Sequence, residues 1–228
     1  MITQIYAIQS PEEAVACLDA GAHYLGISCD TVGMDRAERI KRCQQIFATM
    51  GDRGVKVALT VADEPEPILE IIELTKPDVI HVCGDNYYAT PEFCKTVHER
   101  FPGVRVEQAI GVTGPEAVAQ AELYGAFCDI LILDSVSTTV PGVGAAGFSH
   151  DWNISAEIVR RVKCDVILAG GLGPDNVADA IEKVRPWGVD SLTKTNLPKE
   201  NGISGGKDFA KVKAFCENAM AKAKELGL

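Results

Sequence analysis

Short apolar runs alternate with longer, helix-patterned segments from one end of the chain to the other. The eight apolar runs are Gln4–Ile8, Tyr24–Ser28, Val55–Val61, Val79–Cys83, Val104–Ile110, Ile130–Leu133, Val166–Ala169 and Val189–Leu192. Their continuous apolar character is typical of parallel strands that are buried on both faces. The alternation therefore predicts eight successive β-α units.

The intervening segments have the spacing of amphipathic helices. Ser10-Pro11-Glu12-Glu13 is a typical helix start, because Ser caps free backbone amides and Pro suits the first turn. Phe209–Leu226, rich in Ala and Lys, predicts a long final helix. These units favour an α/β fold in which residues 1–228 form a single (β/α)8 TIM barrel, a fold of about 250 residues. A doubly wound open sheet is the alternative, but no G-x-G-x-x-G follows the first run.

The composition restricts the partners that the protein can have. Its 22 basic and 32 acidic residues give a net charge of −10, which repels phosphate backbones and anionic lipids. No nucleic-acid or membrane partner is therefore expected. A small anionic substrate is still compatible, because a local pocket can oppose the overall charge. No apolar run is long enough to span a bilayer, and the N-terminal residues resemble a strand, so no signal peptide is expected.

The cysteines and histidines indicate the cellular compartment and argue against a metal site. Eight cysteines and four histidines are spread along the chain without a C-x-x-C pair. A zinc cluster needs closely spaced ligands, so no metal site is predicted. Cysteines within apolar runs are typical of small core residues in a reducing compartment, which predicts a cytoplasmic location.

Barrels of this kind carry their active sites at the C-terminal ends of the strands. Asp134 follows four apolar residues at such an end, where apolar surroundings raise the pKa of a carboxyl group. It is predicted to be catalytic; a capping role in the following loop is the alternative. His81 and Cys83 share one face of the fourth strand and are candidate proton-transfer groups, or else core residues. The Cys83 thiol would need a nearby cation, such as a His81 imidazolium, to lower its pKa.

The loops after strands seven and eight are the usual phosphate site of such barrels. Gly170 and Gly171 allow backbone amides to approach an anion closely. Thr193, Lys194 and Thr195 add two hydroxyl groups and an ammonium group. Together these residues predict a phosphate-bearing ligand.

Three further polar residues and one loop complete the predicted site. Gln4, Gln108 and Asp190 lie on strands one, five and eight and are predicted to contact the substrate. The segment 135–151 is long and rich in glycine, which suggests either a lid over the site or a solvated surface loop.

Several motifs, taken in order, carry a resemblance to a known family. The most specific are Leu168-Ala169-Gly170-Gly171-Leu172-Gly173-Pro174-Asp175-Asn176-Val177 and Arg185-Pro186-Trp187-Gly188-Val189-Asp190. Ile80-His81-Val82-Cys83-Gly84, Ile132-Leu133-Asp134-Ser135 and Gly206-Lys207-Asp208 add to them. With these motifs the chain resembles the phosphoribosylanthranilate isomerase family, whose fold is a TIM barrel of the ribulose-phosphate-binding type.

The resemblance implies an isomerase of tryptophan biosynthesis that needs no cofactor. Members of the family catalyse an Amadori rearrangement, which converts a phosphoribosylated amine from an aldose to a ketose. A cysteine on strand one removes the proton at C2 of the sugar, and an aspartate on strand six protonates the ring oxygen. The resemblance gives the role of acid to Asp134 and implies a small phosphorylated sugar as substrate.

The chain departs from the family pattern at the expected base. Tyr6 stands where the family has its strand-one cysteine and is therefore a candidate catalytic residue, although a phenol with a pKa of about 10 is a poor base at neutral pH. Cys83 is the candidate replacement, with His81 beside it. The arginine that holds the anthranilate carboxylate after strand two has no clear counterpart, and Arg36 is the nearest. The alternatives are a related barrel enzyme that acts on a different phosphosugar and a catalytically inactive barrel that binds a phosphorylated metabolite.

Overall fold

The computed structural model describes residues 1–29, 35–84, 86–136, 143–144, 149–198 and 205–228. Within them eight parallel strands pair in chain order, and β8 pairs with β1 to close a barrel. The strands are Ile2–Tyr6 (β1), Tyr24–Ser28 (β2), Val55–Thr60 (β3), Val79–Val82 (β4), Arg105–Gly111 (β5), Ile130–Asp134 (β6), Asp165–Leu168 (β7) and Gly188–Ser191 (β8). The predicted (β/α)8 barrel is confirmed.

A helix follows each strand and packs outside the barrel. The α-helices are Pro11–Asp19 (α1), Arg36–Met50 (α2), Pro65–Thr75 (α3), Pro91–Arg100 (α4), Glu116–Tyr124 (α5), Trp152–Arg161 (α6), Val177–Val184 (α7) and Phe209–Leu226 (α8). Ser10 caps α1 as predicted: its Oγ accepts a hydrogen bond of 3.2 Å from the backbone amide of Glu13. No helix among the described residues has both the length and the apolar character that crossing a bilayer requires.

The predicted bounds of β2 are confirmed, and those of the other seven strands differ from the observed ones by one or two residues. The clearest case is β1, which begins at Ile2 and ends at Tyr6 rather than running from Gln4 to Ile8. Ala7 ends the strand because its φ is 63°, in the left-handed region that no strand residue occupies. Cys83, predicted within the fourth strand, lies directly after β4.

The core has two layers because alternate strand residues point to opposite faces. Ile5, Leu25 and Ile80 point outward and pack against the helices. Val57, Val79 and Ile130 point inward and fill the barrel. Both faces of the sheet are therefore apolar over most of their area, which makes the polar side chains inside the barrel exceptional.

Candidate active site

A cavity of about 250 Å³ opens at the C-terminal end of the barrel. Its polar lining includes Tyr6, His81, Cys83, Asp134 and Asp190, which come from β1, β4, β6 and β8 or the residue after them. The fold thus brings together all four predicted catalytic residues and one predicted substrate-binding residue. They meet because each occupies an inward-facing position near the end of its strand.

Tyr6 forms one wall of this cavity and is fixed by two neighbours. Its hydroxyl group is hydrogen-bonded to Nδ1 of His81. Its ring lies over Gly26 of β2, where even a Cβ atom would overlap the aromatic carbons. Burial, and then the charge of the nearby carboxyl group of Glu107, raise the pKa of Tyr6 well above its ordinary value. The phenol therefore keeps its proton at neutral pH and does not act as a base.

His81 lies between Tyr6 and a buried carboxyl group. It is paired in register with Glu107 of β5, whose Oε1 is 3.5 Å from Nδ1 of the imidazole. Burial lowers the pKa of His81 to about 3 and raises the pKa of Glu107 to about 8. His81 is thus neutral at physiological pH, so the predicted imidazolium that would activate Cys83 is not formed. Nδ1 faces Tyr6 and Glu107 instead.

Cys83 faces the cavity from the side of β4. Its Sγ donates a hydrogen bond of 3.4 Å to the backbone carbonyl of Thr60 at the end of β3. Cys83 is 3 % exposed and lines the cavity. The predicted shared face with His81 agrees with this placement.

Asp134 ends β6 with its carboxyl group in the cavity wall. Its Oδ1 accepts a hydrogen bond of 2.6 Å from the backbone amide of Ser135. A Cβ atom on Gly144 would lie 2.7 Å from Oδ2, so only a glycine allows this backbone to pass the carboxyl group. Burial raises the pKa of Asp134 to about 7, against the lowering effect of the Ser135 amide. Near neutral pH this carboxyl group can hold or release a proton.

Asp190 and Gln4 lie deeper, on adjacent strands. They are register partners on β8 and β1. The pKa of Asp190 is raised well above its ordinary value by burial, and then by the negative charges of Asp134 and Glu107. The Gln4 side chain lies beside Asp190 and Glu107 and opposes the rise in both pKa values. None of its amide atoms, however, reaches hydrogen-bond geometry with a described residue.

The predicted phosphate residues lie in the segments that follow β7 and β8. Gly170 and Gly171 follow β7 with φ values of 83° and 63°, and side chains there would be strained. Gly171 and Lys194 line a groove of about 510 Å³ that extends to the start of α8. Thr193 begins a short 3-10 helix beside it. The groove also contains the carboxyl group of Asp208.

Thr195 and Lys207 brace the loop after β8. The Thr195 hydroxyl is buried and donates a hydrogen bond of 3.1 Å to the carbonyl of Leu192, so it is not presented to a ligand. The Lys207 ammonium group donates to the Leu192 carbonyl at 2.9 Å and to Asn196 Oδ1 at 2.6 Å. Thr195 is therefore left out of the candidate phosphate site. Lys207 was not predicted, although the Gly206-Lys207-Asp208 motif contains it.

Gln108 lies outside the cavity. The alternation that points Glu107 and Ala109 inward turns Gln108 toward the helices. Its Oε1 accepts from the amide of Ala89 at 2.7 Å, and its Nε2 donates to the carbonyls of Val82 and Ala109. This side chain stabilises backbone, and the substrate contact expected of it has no support in its position. The acidic residue that faces inward on this strand is Glu107, which the same period-two rule could have identified.

Parts of the predicted site lie outside the described residues. Of the predicted lid 135–151, positions 137–142 and 145–148 are not described, and neither is the segment 30–34 after β2. Arg36 begins α2 and forms an exposed ion pair of 2.9 Å with Glu70, away from the cavity. Among the described residues no group of three His, Cys, Asp or Glu side chains is arranged to hold a metal ion.

Comparisons with known proteins agree with this architecture. The family model described as N-(5'-phosphoribosyl)anthranilate (PRA) isomerase matches residues 3–218. The N-(5'-phosphoribosyl)anthranilate isomerase of Methanocella arvoryzae is 30 % identical over 214 residues, which cover 94 % of this chain and 95 % of that protein. The enzyme of the same name from Methanopyrus kandleri is 32 % identical, with 91 % and 94 % coverage.

Solved structures give the same result. Phosphoribosyl anthranilate isomerase from Thermotoga maritima superposes with a TM-score of 0.78 at 25 % identity, covering 97 % of this chain and all of that one. A thiamine phosphate pyrophosphorylase from Pyrococcus furiosus, 15 % identical, has a TM-score of 0.65 with 99 % and 96 % coverage and shares the fold alone. The family model matches nearly the whole sequence. The same residues form a closed barrel with carboxyl groups at the strand ends. The chain belongs to the N-(5'-phosphoribosyl)anthranilate isomerase family.

Proposed function

We propose that the protein catalyses the aldose-to-ketose rearrangement of a phosphoribosylated amine, with phosphoribosylanthranilate as the first substrate to test. The observation that carries this proposal is the position of Asp134, a carboxyl group with a pKa of about 7 in the wall of a cavity that also contains Cys83. The reaction needs one group that gives a proton and one that takes a proton, on different atoms of the sugar. The relatives named above are isomerases of this substrate.

Asp134 is the proposed acid. It gives its proton to the ring oxygen as the bond between that oxygen and C1 breaks, and the electron pair on nitrogen forms a C1=N double bond. Cys83, as the thiolate, takes the proton from C2. The electrons of the C2–H bond form a C1=C2 double bond and return the C1=N pair to nitrogen. The resulting enol then becomes the ketone as C1 gains a proton and the C2 hydroxyl loses one.

Cys83 is the proposed base because the other candidates do not suit the role. Tyr6 keeps its proton, since its pKa is raised. The pKa of His81 is about 3, so its imidazole is a weak base, and Nδ1 is already bonded to Tyr6. Cys83 faces the same cavity as Asp134, and its thiol donates a hydrogen bond to the backbone carbonyl of Thr60. The phosphate group is proposed to bind at Gly170, Gly171, Thr193 and Lys194, where amides, a hydroxyl and an ammonium group can meet an anion.

The test is the fluorescence assay of phosphoribosylanthranilate consumption, with substrate generated in place. Wild-type protein should turn over saturably, and Asp134→Asn and Cys83→Ser should each lower kcat by about 10²–10⁴-fold, the usual worth of a positioned acid or base. Asp52→Asn and Cys164→Ser are matched controls outside the cavity and should keep wild-type rates. Asp134→Asn with full activity would disprove the assignment of the acid. Folded wild-type protein without turnover would leave a barrel that binds a phosphorylated metabolite.

The state of the cysteine thiols bears on the cellular compartment of the protein. None of the eight cysteines, which all lie among the described residues, forms a disulfide bond. Buried free thiols are typical of proteins in a reducing compartment. We therefore propose that the protein works in the cytoplasm.

A further inference from the structure

The proposed mechanism leaves one buried carboxyl group of the cavity unused. Asp190 is 5 % exposed and lines the same cavity as Asp134 and Cys83. Its Oδ1 has no hydrogen-bond partner among the described residues. A buried carboxyl oxygen without a partner costs free energy, so its retention in the cavity points to a role in contact with a ligand.

The charged and titratable groups around Asp190 determine its protonation state. Glu107 on β5 and Asp134 on β6 are both acidic, and Tyr6 on β1 contributes an un-ionised phenol. Lys207, which precedes α8, is the cation that acts on Asp190. Its ammonium group is already bonded to Leu192, Thr195 and Asn196. A charge on Asp190 would thus be buried beside two other acids without an ion pair in the described residues, and the un-ionised acid is favoured.

The barrel places three proton-transfer groups on different sides of the cavity. In a closed ring of eight strands, β4 and β8 are opposite each other, and β6 lies midway between them. Cys83 follows β4, Asp134 ends β6 and Asp190 lies on β8. A substrate in the cavity can therefore meet Asp190 on the side away from the proposed base.

We propose that Asp190 is a further catalytic residue, which converts the enol to the ketone by giving its proton to C1 while its carbonyl oxygen accepts the proton of the C2 hydroxyl. This inference rests on the function proposed above. An un-ionised carboxylic acid can perform both transfers, because one oxygen carries a proton and the other has free electron pairs.

The protons balance over the cycle. The ring oxygen gains a proton from Asp134, and C2 loses one to Cys83. C1 gains a proton from Asp190, and the C2 hydroxyl returns one to the same carboxyl group. A final transfer from the Cys83 thiol to Asp134 restores both groups, so the reaction is an isomerisation without a co-reactant.

Deuterium exchange separates this role from a merely structural one. The protein is assayed in D₂O with phosphoribosylanthranilate, and unconverted substrate is hydrolysed to ribose 5-phosphate for mass spectrometry of the C2 position. Asp190→Asn keeps the shape of the side chain but lacks the acid proton. It should lower product formation by about 10²–10⁴-fold, while deuterium appears at C2 of the recovered substrate faster than product forms. The enol still forms in this variant, but it returns to substrate.

Other results of this experiment would contradict the proposed role of Asp190. If product formation and C2 exchange fall by the same factor in Asp190→Asn, or if the variant keeps wild-type turnover, the inference is wrong. Asp134→Asn is the control, because blocked ring opening should abolish exchange and turnover together. Asp190→Ser provides the same comparison if Asp190→Asn does not fold. Wild-type protein without turnover would refute the proposed function itself, and this result is obtained before any Asp190 variant is compared.

Discussion

Replacing Gly26 with alanine tests how the cavity wall is built. A Cβ atom at this position would lie 2.7 Å from Cζ of Tyr6 and closer still to two other ring carbons, a separation that real Cβ atoms do not show. Both residues belong to paired strands, since Tyr6 and Gly26 are register partners on β1 and β2. The backbone cannot yield easily, so the Tyr6 ring must move and lose its hydrogen bond to His81.

Overpacking of the Tyr6 ring and loss of its hydrogen bond to His81 both destabilise the fold. Overpacking in a core costs about 1–3 kcal/mol, and loss of one hydrogen bond costs about 0.5–1.5 kcal/mol. Together they predict that Gly26→Ala lowers the free energy of unfolding by roughly 2–4 kcal/mol, or lowers Tm by roughly 4–16 °C for a domain of this size. Intrinsic preference acts in the opposite direction, because alanine in a strand is favoured over glycine by about 0.5–1 kcal/mol. The sign of the change in the free energy of unfolding therefore shows whether overpacking against Tyr6 or the strand preference of alanine is the larger effect.

Chemical denaturation followed by circular dichroism measures the change. The matched background is Tyr6→Ala, where the ring is absent and the added methyl group has room. There Gly26→Ala should be neutral or slightly stabilising, so the double-mutant cycle should yield a coupling energy close to the whole cost of the single variant. If the Gly26→Ala protein is as stable as the wild type, the Tyr6 ring is not held tightly against Gly26 by packing and by its hydrogen bond, and this account is refuted.

Two further predictions concern buried ionisable groups. The pKa of Glu107 is about 8 in the fold against an ordinary 4.5, so the folded state binds more protons between these values and stability falls as pH rises from about 4.5 through 8. Glu107→Gln should flatten this part of the stability profile in urea titrations at pH 5 to 9, and an unchanged slope would contradict it. Lys207→Met should leave the buried acceptors of the β8 loop unpaired and cost about 1–3 kcal/mol, measured as a fall in the denaturation midpoint. Lys211→Met, an exposed neighbour, is the control and should change the midpoint little.

The sequence predicts the fold of this protein well because the order of its strands and helices depends on local patterns. Eight apolar runs separated by helix-patterned segments are sufficient for a closed parallel barrel, and α8 has the predicted bounds Phe209–Leu226. The strand ends are less regular, since Ala7 enters the left-handed region for reasons that no local pattern indicates. Local signals therefore identify an element better than they identify its last residue.

The site is harder to predict because it depends on contacts across the barrel. Strand position alone suggested His81, Cys83 and Asp134, and all three do face one cavity. The orientation of Gln108 was missed although the alternation of β5 contains it. The neutral state of His81 could not be predicted, because it follows from burial among residues of other strands, including Tyr6 and Glu107, which are 75 and 26 residues away along the chain.

Tyr6 stands where the family has its strand-one base, and its place in the structure depends on residues of three strands. A tyrosine fits at this position because Gly26 on β2 leaves space for the ring and Nδ1 of His81 on β4 is hydrogen-bonded to its hydroxyl group. The large side chain then fills a wall of the cavity, and its raised pKa removes it from proton transfer. Acid-base chemistry in such a barrel must come from other strands, and the groups that remain in the cavity lie on or just after β4, β6 and β8. On this reasoning, Tyr6→Cys alone should not restore a family-type base, because the small thiol would occupy a space shaped for an aromatic ring.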